Sequence, residues 1–226
     1  MTVSLPGVRH RLLGSAPPDP GPAATRDAAT DLARAAARGE TDLPAPGAGA
    51  TAQRWAALAR WGRTELSFAR LCEGHTDAVA ILAEAGRTPV PGATYGVWAA
   101  RSGGTGAVLA GGAGAWRLRG RVRFCSGAHG LDRALVVAAA PDGSRIADVP
   151  LARPGVRPVA GTWQTVGMAR SDSADVDLDD VPVDDDALVG GPAGTPRGPG
   201  SGTAAAGWPR CGWAAPPGCS TTCASS

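Results

Sequence analysis

The spacing of apolar residues changes along this chain from a helical period to a period of two, and this change restricts the folds open to it. From residue 53 to residue 86, apolar side chains recur at helical spacing, and Gly86 is typical of a helix C-cap. Beyond "RTPVPGATYG" the alternation is that of strands. Helices followed by strands predict an α+β fold.

Four segments predict the strands. The segment "AWRLRGRVRF" alternates apolar residues with four arginines, which predicts a strand with one buried and one solvated face. The further strand candidates are "ALVVAAA", "SRIADVPL" and "ADVDLDDVPV", separated by turn signals such as "PDGS". We therefore predict an antiparallel barrel or sandwich.

Three parts are expected along the chain. Residues 1–92 form an N-terminal helical domain, in which residues 1–50 are partly irregular and "ATRDAATDLARAAARGE" gives one short helix, while 53–86 gives a pair of consecutive helices. Residues 93–192 form the β domain. Residues 193–226 form an irregular tail.

Composition excludes several classes of partner. The 226 residues carry a formal net charge of +2 with no basic stripe, which argues against nucleic acid. No apolar run is long enough for a signal peptide or a membrane helix, so we expect a cytoplasmic protein with no membrane partner. Five cysteines without a secretory signal argue against a disulfide framework.

Three patterns raise the question of a metal site, and we predict none. Cys72 and His75 stand three apart on a predicted helix, but a pair without two further ligands is typical of packing. Consecutive carboxylates at 184–186 point in different directions, which favours a solvated loop. The tail cysteines have no histidine to complete a zinc site; they are Cys211, Cys219 and Cys223.

Over residues 54–192 the chain resembles the acyl-CoA dehydrogenase superfamily of flavoenzymes. The resemblance lies in "TYGVWAA", "GAWRLRGRVRFCSGAHGLDRALVVAA" and "WQTVGMARSDSADVDLDDVPVDDDALVGGP". The last segment carries an ordered set of family residues: Trp163, Gly167, Met168, Ser171, Ser173, Val176, Leu178, Val181 and Pro182. The resemblance implies a helical domain, a middle β domain and a C-terminal four-helix domain.

The resemblance also implies a cofactor site for FAD. Phe124 would pack on the isoalloxazine ring, and Ser126 would donate a hydrogen bond near its reactive edge, where a donor favours electron density on the ring. Tyr95, Val97 and Trp98 would contact the flavin through the main chain. The implied substrate is an acyl-CoA or a related small molecule, and the family forms oligomers.

One loop departs from the family pattern. In "WAARSGGTG", Trp98, Ala99 and Ala100 stand where the family has Thr-Glu-Pro, and Gly104 replaces a serine. Because of this departure, a flavin monooxygenase of the same fold is an alternative to the dehydrogenase. A non-enzymatic β module that binds a partner is the other alternative.

The expected C-terminal bundle has no counterpart in the tail. The family's catalytic base is a glutamate of that domain, but no acidic residue follows Asp186 and no Leu, Ile, Val or Phe follows Val189. We therefore expect a divergent, C-terminally truncated relative with no catalytic residue, inactive in FAD-dependent oxidation of an acyl thioester. A frameshift near residue 193 is our hypothesis for the tail, because Trp and Cys codons shifted by one base encode Val, Leu or Met.

Overall fold

The computed structural model describes residues 21–165 and 167–191, with side chains from Ala28 onward. The predicted irregular tail and its three cysteines lie outside the described residues. Three helices come first: α1 (Gly21–Ala37), α2 (Thr51–Thr64) and α3 (Leu66–Glu84). Among the described residues, no helix is long and apolar enough to cross a membrane.

A single residue separates α2 from α3. Glu65 is extended, with φ −166°, and its carboxylate accepts hydrogen bonds from the amides of Ser67 and Phe68 at 2.9 and 2.7 Å. This side chain satisfies two of the amides that every helix start leaves unpaired. The predicted pair of consecutive helices is confirmed, and the break falls at Glu65.

Eight strands follow the helices. All four predicted strands are present: β3 (Trp116–Cys125), β4 (Arg133–Ala140), β5 (Gly143–Pro150) and β7 (Ala174–Val183). Four shorter strands, which the sequence pattern did not predict, complete the sheet: β1 (Tyr95–Trp98), β2 (Gly106–Ala110), β6 (Val156–Val159) and β8 (Leu188–Val189). The predicted α+β fold is confirmed.

The strands form one sheet in the order β6-β7-β3-β2-β4-β5-β8, with β1 also paired to β4. Five strand pairs are antiparallel, as predicted, but β4 pairs in parallel with β1 over its first half and with β2 further along. Both short strands run along the same edge of β4 in the same direction. The loop 99–105 between them therefore leaves that edge and returns to it.

A β-bulge bends β3 at Gly120. The register with β7 shifts between Leu118 and Gly120, where φ is +112°. A Cβ atom at this glycine would lie 2.4 Å from the carbonyl oxygen of Gly106 on β2. Only glycine fits so close an approach to the neighbouring strand.

The two faces of β3 differ in burial and charge, as the alternation predicted. One face enters the sheet core, where Leu118 and Val122 are almost fully buried. The other face carries arginines that pair with aspartates of β7, such as Arg121 with Asp177 at 2.6 Å. A separate apolar cluster joins the helices to the sheet: Ala78, Leu82, Tyr95, Leu135 and Val189.

Candidate functional site

A small cleft, with enclosed room for about one water molecule, lies where α3 meets β1 and the turn that follows β3. Eight residues line it: Arg70, Leu71, Gly74, Tyr95, Gly96, Val97, Ser126 and Leu131. A Cβ atom at Gly96 would lie 3.0 Å from the Trp98 indole nitrogen and 3.2 Å from the Leu131 side chain, so a larger residue would push these side chains aside.

Phe124 leaves the end of β3 in an unusual conformation. Its φ of +59° is in the left-handed region, which a bulky residue rarely adopts. The ring is 47% exposed, lies edge-on to Trp163 at 6.4 Å, and has the Arg123 guanidinium 4.6 Å from its centre. Residues in such strained positions cluster at functional sites.

Ser126 is held from two sides. The indole nitrogen of Trp98 donates to the Ser126 carbonyl oxygen at 3.2 Å, which ties the turn to β1. The Ser126 hydroxyl lies 3.2 Å from that of Ser173, which lies 2.9 Å from that of Ser171. The orientation of Ser126 is therefore coupled to a loop 45 or more residues further along the chain.

That second loop docks on the turn through the backbone. The amide of Gly127 donates to the Ser171 carbonyl at 2.8 Å, and the amide of Ala128 donates to the Asp172 carbonyl at 2.9 Å. At Gly127, φ is +71° and a Cβ atom would lie 2.4 Å from the Leu131 side chain. The junction therefore requires glycine after Ser126.

Asp172 is the central residue of this junction. Its buried carboxylate accepts hydrogen bonds from the amides of His129 and Gly130 at 2.7 and 3.1 Å. The second carboxylate oxygen lies 2.6 Å from Nδ1 of His129. Neither side chain was among the predicted site residues, since sequence spacing gave no sign that residues 43 apart would meet.

The five predicted site residues fall into two groups. Tyr95, Val97 and Ser126 line the cleft, and Trp98 contacts Ser126 directly. Tyr95 is fully buried, and its hydroxyl accepts from the Val90 amide at 3.0 Å. Phe124 does not line the cleft and points outward beside Trp163.

Cys72 and His75, the pair at a spacing that metal ligands use, both lie in the protein interior. His75 is buried and accepts a hydrogen bond through Nδ1 from the Tyr95 amide at 3.3 Å, and burial lowers its pKa. Burial also raises the pKa of the Cys72 thiol to about 12. The part of the chain that the structure describes contains no group of three side chains suited to a metal ion.

The acidic run at 184–186 follows β7. Asp185 accepts hydrogen bonds from the Trp116 indole nitrogen at 2.9 Å and from the Gly114 amide at 3.0 Å. It therefore fastens the turn between β2 and β3 to the end of β7. All three carboxylates of the run are exposed, as predicted for a solvated loop. The carboxylate of Asp184 lies 3.7 Å from Arg153.

No model of a known protein family matches the chain. A segment of 85 residues is 35% identical to the dibenzothiophene monooxygenase of Rhodococcus erythropolis, and it covers 35% of this chain and 20% of that protein. The aligned segment thus represents a small part of the relative.

Solved structures show the fold. FkbI, described as acting in biosynthesis of the methoxymalonyl extender unit of Fk520, superposes with a TM-score of 0.62 at 19% identity, over 76% of this chain and 56% of its own. Butyryl-CoA dehydrogenase from Megasphaera elsdenii gives 0.55 at 14% identity, over 60% of this chain and 41% of its own. The described chain has an acyl-CoA dehydrogenase-like fold.

A third structure of this fold is TdsC of Paenibacillus sp. A11-2 in complex with FMN and indole. It gives a TM-score of 0.51 at 22% identity, and covers 75% of this chain and 53% of its own. The chain spans about half the length of these acyl-CoA dehydrogenase-like structures. Their ligands are properties of those proteins.

Two residues of the chain offer groups of the kind that a flavin requires. An isoalloxazine ring needs an apolar or aromatic face and hydrogen-bond donors at its polar edge. Phe124 offers an exposed ring held by its backbone conformation and by Trp163, and Ser126 offers a half-buried hydroxyl two residues later. The turn that carries both is fastened to β1 and to the 171–173 loop.

Proposed function

We propose that this chain provides flavin-binding residues of an oxidoreductase. The observation that supports the proposal is the turn after β3, where Phe124 is exposed with a φ of +59° and Ser126 is fastened through its carbonyl and hydroxyl. Such fixed geometry at a surface turn is costly, and its cost is explained if the turn has a ligand to position.

Each of these residues has its own role in binding the flavin. Phe124 packs against the apolar face of the ring, Ser126 donates to its polar edge, and the main chain from Tyr95 to Trp98 forms the neighbouring wall. A bound flavin supplies the redox chemistry. The protein contributes orientation and a fixed hydrogen-bond donor, which in a site shielded from water favours negative charge on the ring.

Among reactions of this class, we favour a monooxygenase over acyl thioester dehydrogenation. The 35% identical segment belongs to a dibenzothiophene monooxygenase. The loop after β1 also departs from the dehydrogenase pattern at Trp98, Ala99 and Ala100. Both observations favour reduced flavin and oxygen as reactants, and the first favours a small aromatic compound as substrate.

Dehydrogenation of an acyl thioester would require residues beyond the described cleft. Abstraction of an α proton needs a base, and the residues that line the cleft include no carboxylate or imidazole. We propose that the chain by itself binds flavin weakly and does not complete a catalytic cycle.

The proposal is tested by titrating the purified chain with FMN and, separately, with FAD, following quenching of flavin fluorescence. Saturable binding of either flavin is expected, and Phe124→Ala or Ser126→Ala should weaken it about tenfold, the value of one hydrogen bond or stacking contact. Val108→Ala is the matched control, because this exposed residue of β2 lies outside both the cleft and the turn that carries Phe124 and Ser126. Absence of saturable binding of both flavins would reject the proposal.

The choice between reactions is tested on the flavin complex. Indole and butyryl-CoA are added in turn, and the absorption spectrum of the bound flavin is recorded. A spectral change with indole alone supports the monooxygenase. A change with the thioester alone would favour the dehydrogenase.

A further inference from the structure

Three serine hydroxyls form a row that runs inward from the cleft. Ser126, at the outer end, is half-buried and lines the cleft. Ser173 is 7% exposed and lies 3.2 Å from it, and Ser171 is fully buried and lies 2.9 Å from Ser173. The flavin proposal uses Ser126 only.

The number of available protons and acceptors determines which hydroxyl of this row donates to which. Each hydroxyl has one proton to donate. Among the described residues, the Ser171 hydroxyl has a single hydrogen-bond partner, Ser173. If Ser173 donated to Ser171, the Ser171 proton would be buried without an acceptor, which is unfavourable. Ser171 therefore donates to Ser173.

The same reasoning applies to the next two protons. Among the described residues, the partners of the Ser173 hydroxyl are Ser171 and Ser126, and Ser173 is almost fully buried. Since Ser171 is a donor, the Ser173 proton has an acceptor only if it is donated to Ser126. Ser126 then accepts from Ser173 and keeps its own proton for a group in the cleft. Successive hydrogen bonds of this kind polarise one another, which makes the last hydroxyl a stronger donor.

The backbone holds the row without help from the hydroxyls. Gly127 and Ala128 donate to the carbonyls of Ser171 and Asp172, and the Asp172 carboxylate accepts from two amides of the turn. Removing one serine hydroxyl therefore changes the direction of the protons while the two loops stay joined. This separation makes the role of the hydroxyls testable.

We propose that Ser171 and Ser173 are positioning residues that orient the Ser126 hydroxyl with its proton toward the cleft. The identity of the acceptor, the polar edge of a flavin, rests on the proposed function. The orientation itself rests only on the hydrogen bonds of the row.

The first experiment needs no flavin. Thermal unfolding is measured for Ser173→Ala, Ser171→Ala and the double variant. Ser173→Ala leaves the Ser171 proton without an acceptor and should lower Tm by roughly 2–8 °C. The double variant removes that proton and should unfold at a higher temperature than Ser173→Ala. Ser171→Ala decides the direction. In the proposed row Ser171 only donates, so its loss leaves no proton without an acceptor and should lower Tm less than Ser173→Ala does. If Ser173 donated to Ser171 instead, Ser171→Ala would leave the Ser173 proton without an acceptor, so a fall in Tm as large as that of Ser173→Ala would overturn the proposal.

The second experiment measures the preference for reduced over oxidised flavin, which a purely structural role of the serines would leave unchanged. Affinities for oxidised and reduced flavin are compared in each variant. Ser126→Ala should reduce the preference for reduced flavin about tenfold, the value of one charge-assisted hydrogen bond. Ser173→Ala should reduce it in the same direction, and adding Ser173→Ala to Ser126→Ala should have no further effect.

Ser67→Ala serves as the control, because Ser67 is equally buried but bonds to Glu65 at the start of α3. It should leave the preference for reduced flavin unchanged. An unchanged preference in Ser173→Ala would overturn the proposal. If the wild-type chain binds neither flavin, the proposed function fails, and the orientation is decided by the unfolding experiment alone.

Discussion

His75 accepts a hydrogen bond from the Tyr95 amide, so its Nδ1 carries no proton and the ring is neutral with hydrogen on Nε2. The residue joins α3 to β1 in the buried region between them. Burial lowers its pKa, while the charge of Asp42 acts weakly in the opposite direction. His75 therefore has a structural role, although its spacing from Cys72 in the sequence is one that metal ligands use.

The lowered pKa gives stability a pH dependence. The unfolded chain takes up a proton on His75 at about pH 6.5, before the folded protein does. Stability that is present above this pH is therefore lost as the pH falls from about 7.5 through the folded pKa, by at most about 1.4 kcal/mol per unit. Urea unfolding of wild type and His75→Gln between pH 7.5 and 5 checks this, and parallel curves would contradict it.

Cys72 and Cys125 are both fully buried, and burial raises the pKa of both thiols. Because the thiolate is the reactive form, we expect both to react with iodoacetamide at least about a thousandfold more slowly than a free thiol at pH 8. Labelling in buffer and in urea, followed by peptide mass spectrometry, measures this. Rapid labelling of either residue in the native protein would show that the core opens readily.

Secondary structure elements could be predicted to the extent that they are long. Helix α3 and strand β3 each carry enough apolar repeats to reveal their period. Strands β1, β6 and β8 have four, four and two residues, too few to show an alternation. They form because longer neighbours offer unpaired backbone groups to them.

Helices α2 and α3 are joined by a buried ion pair. Arg54 lies 2.7 Å from Asp77, with side chains 10% and 19% exposed, and also donates to Thr76 at 3.3 Å. Truncation of one partner leaves a charge in the interior, so Arg54→Ala should lower the free energy of unfolding by about 3 kcal/mol.

The matched control for that variant is Arg34→Ala on α1. Arg34 pairs with Asp31 at 3.4 Å, but the two side chains are 66% and 48% exposed, so this pair contributes little. A loss below about 0.5 kcal/mol is expected. Chemical denaturation of both variants gives the comparison, and equal losses would show that burial does not govern the strength of these pairs.

The molecule as a whole depends on apolar contacts between helices and sheet. Leu135 of β4 is fully buried and packs with Leu82 of α3 and Tyr95 of β1. The helices and the sheet therefore share part of one core. They should unfold together, because separating them would expose apolar surface on both.

Leu135→Ala tests this dependence. We expect a loss of about 3 kcal/mol from the cavity, with a single transition seen alike by far-ultraviolet circular dichroism and by tryptophan fluorescence. Val108→Ala, on the exposed face of β2, should change stability by less than about 0.5 kcal/mol. Two separate transitions in Leu135→Ala would mean that helices and sheet are independent units.

The sequence by itself determined the α+β order, the consecutive helices and the four long strands, because periodicity is a local property that each segment carries. Through the family resemblance of the segment around β3, it also suggested Phe124 and Ser126 as flavin contacts, which stays a prediction. Only the tertiary structure decided the parallel pairing of β1 and β2 with β4, the Asp172 junction and the serine row. Those contacts join residues distant in sequence, and their geometry depends on register and loop path, which no local pattern encodes.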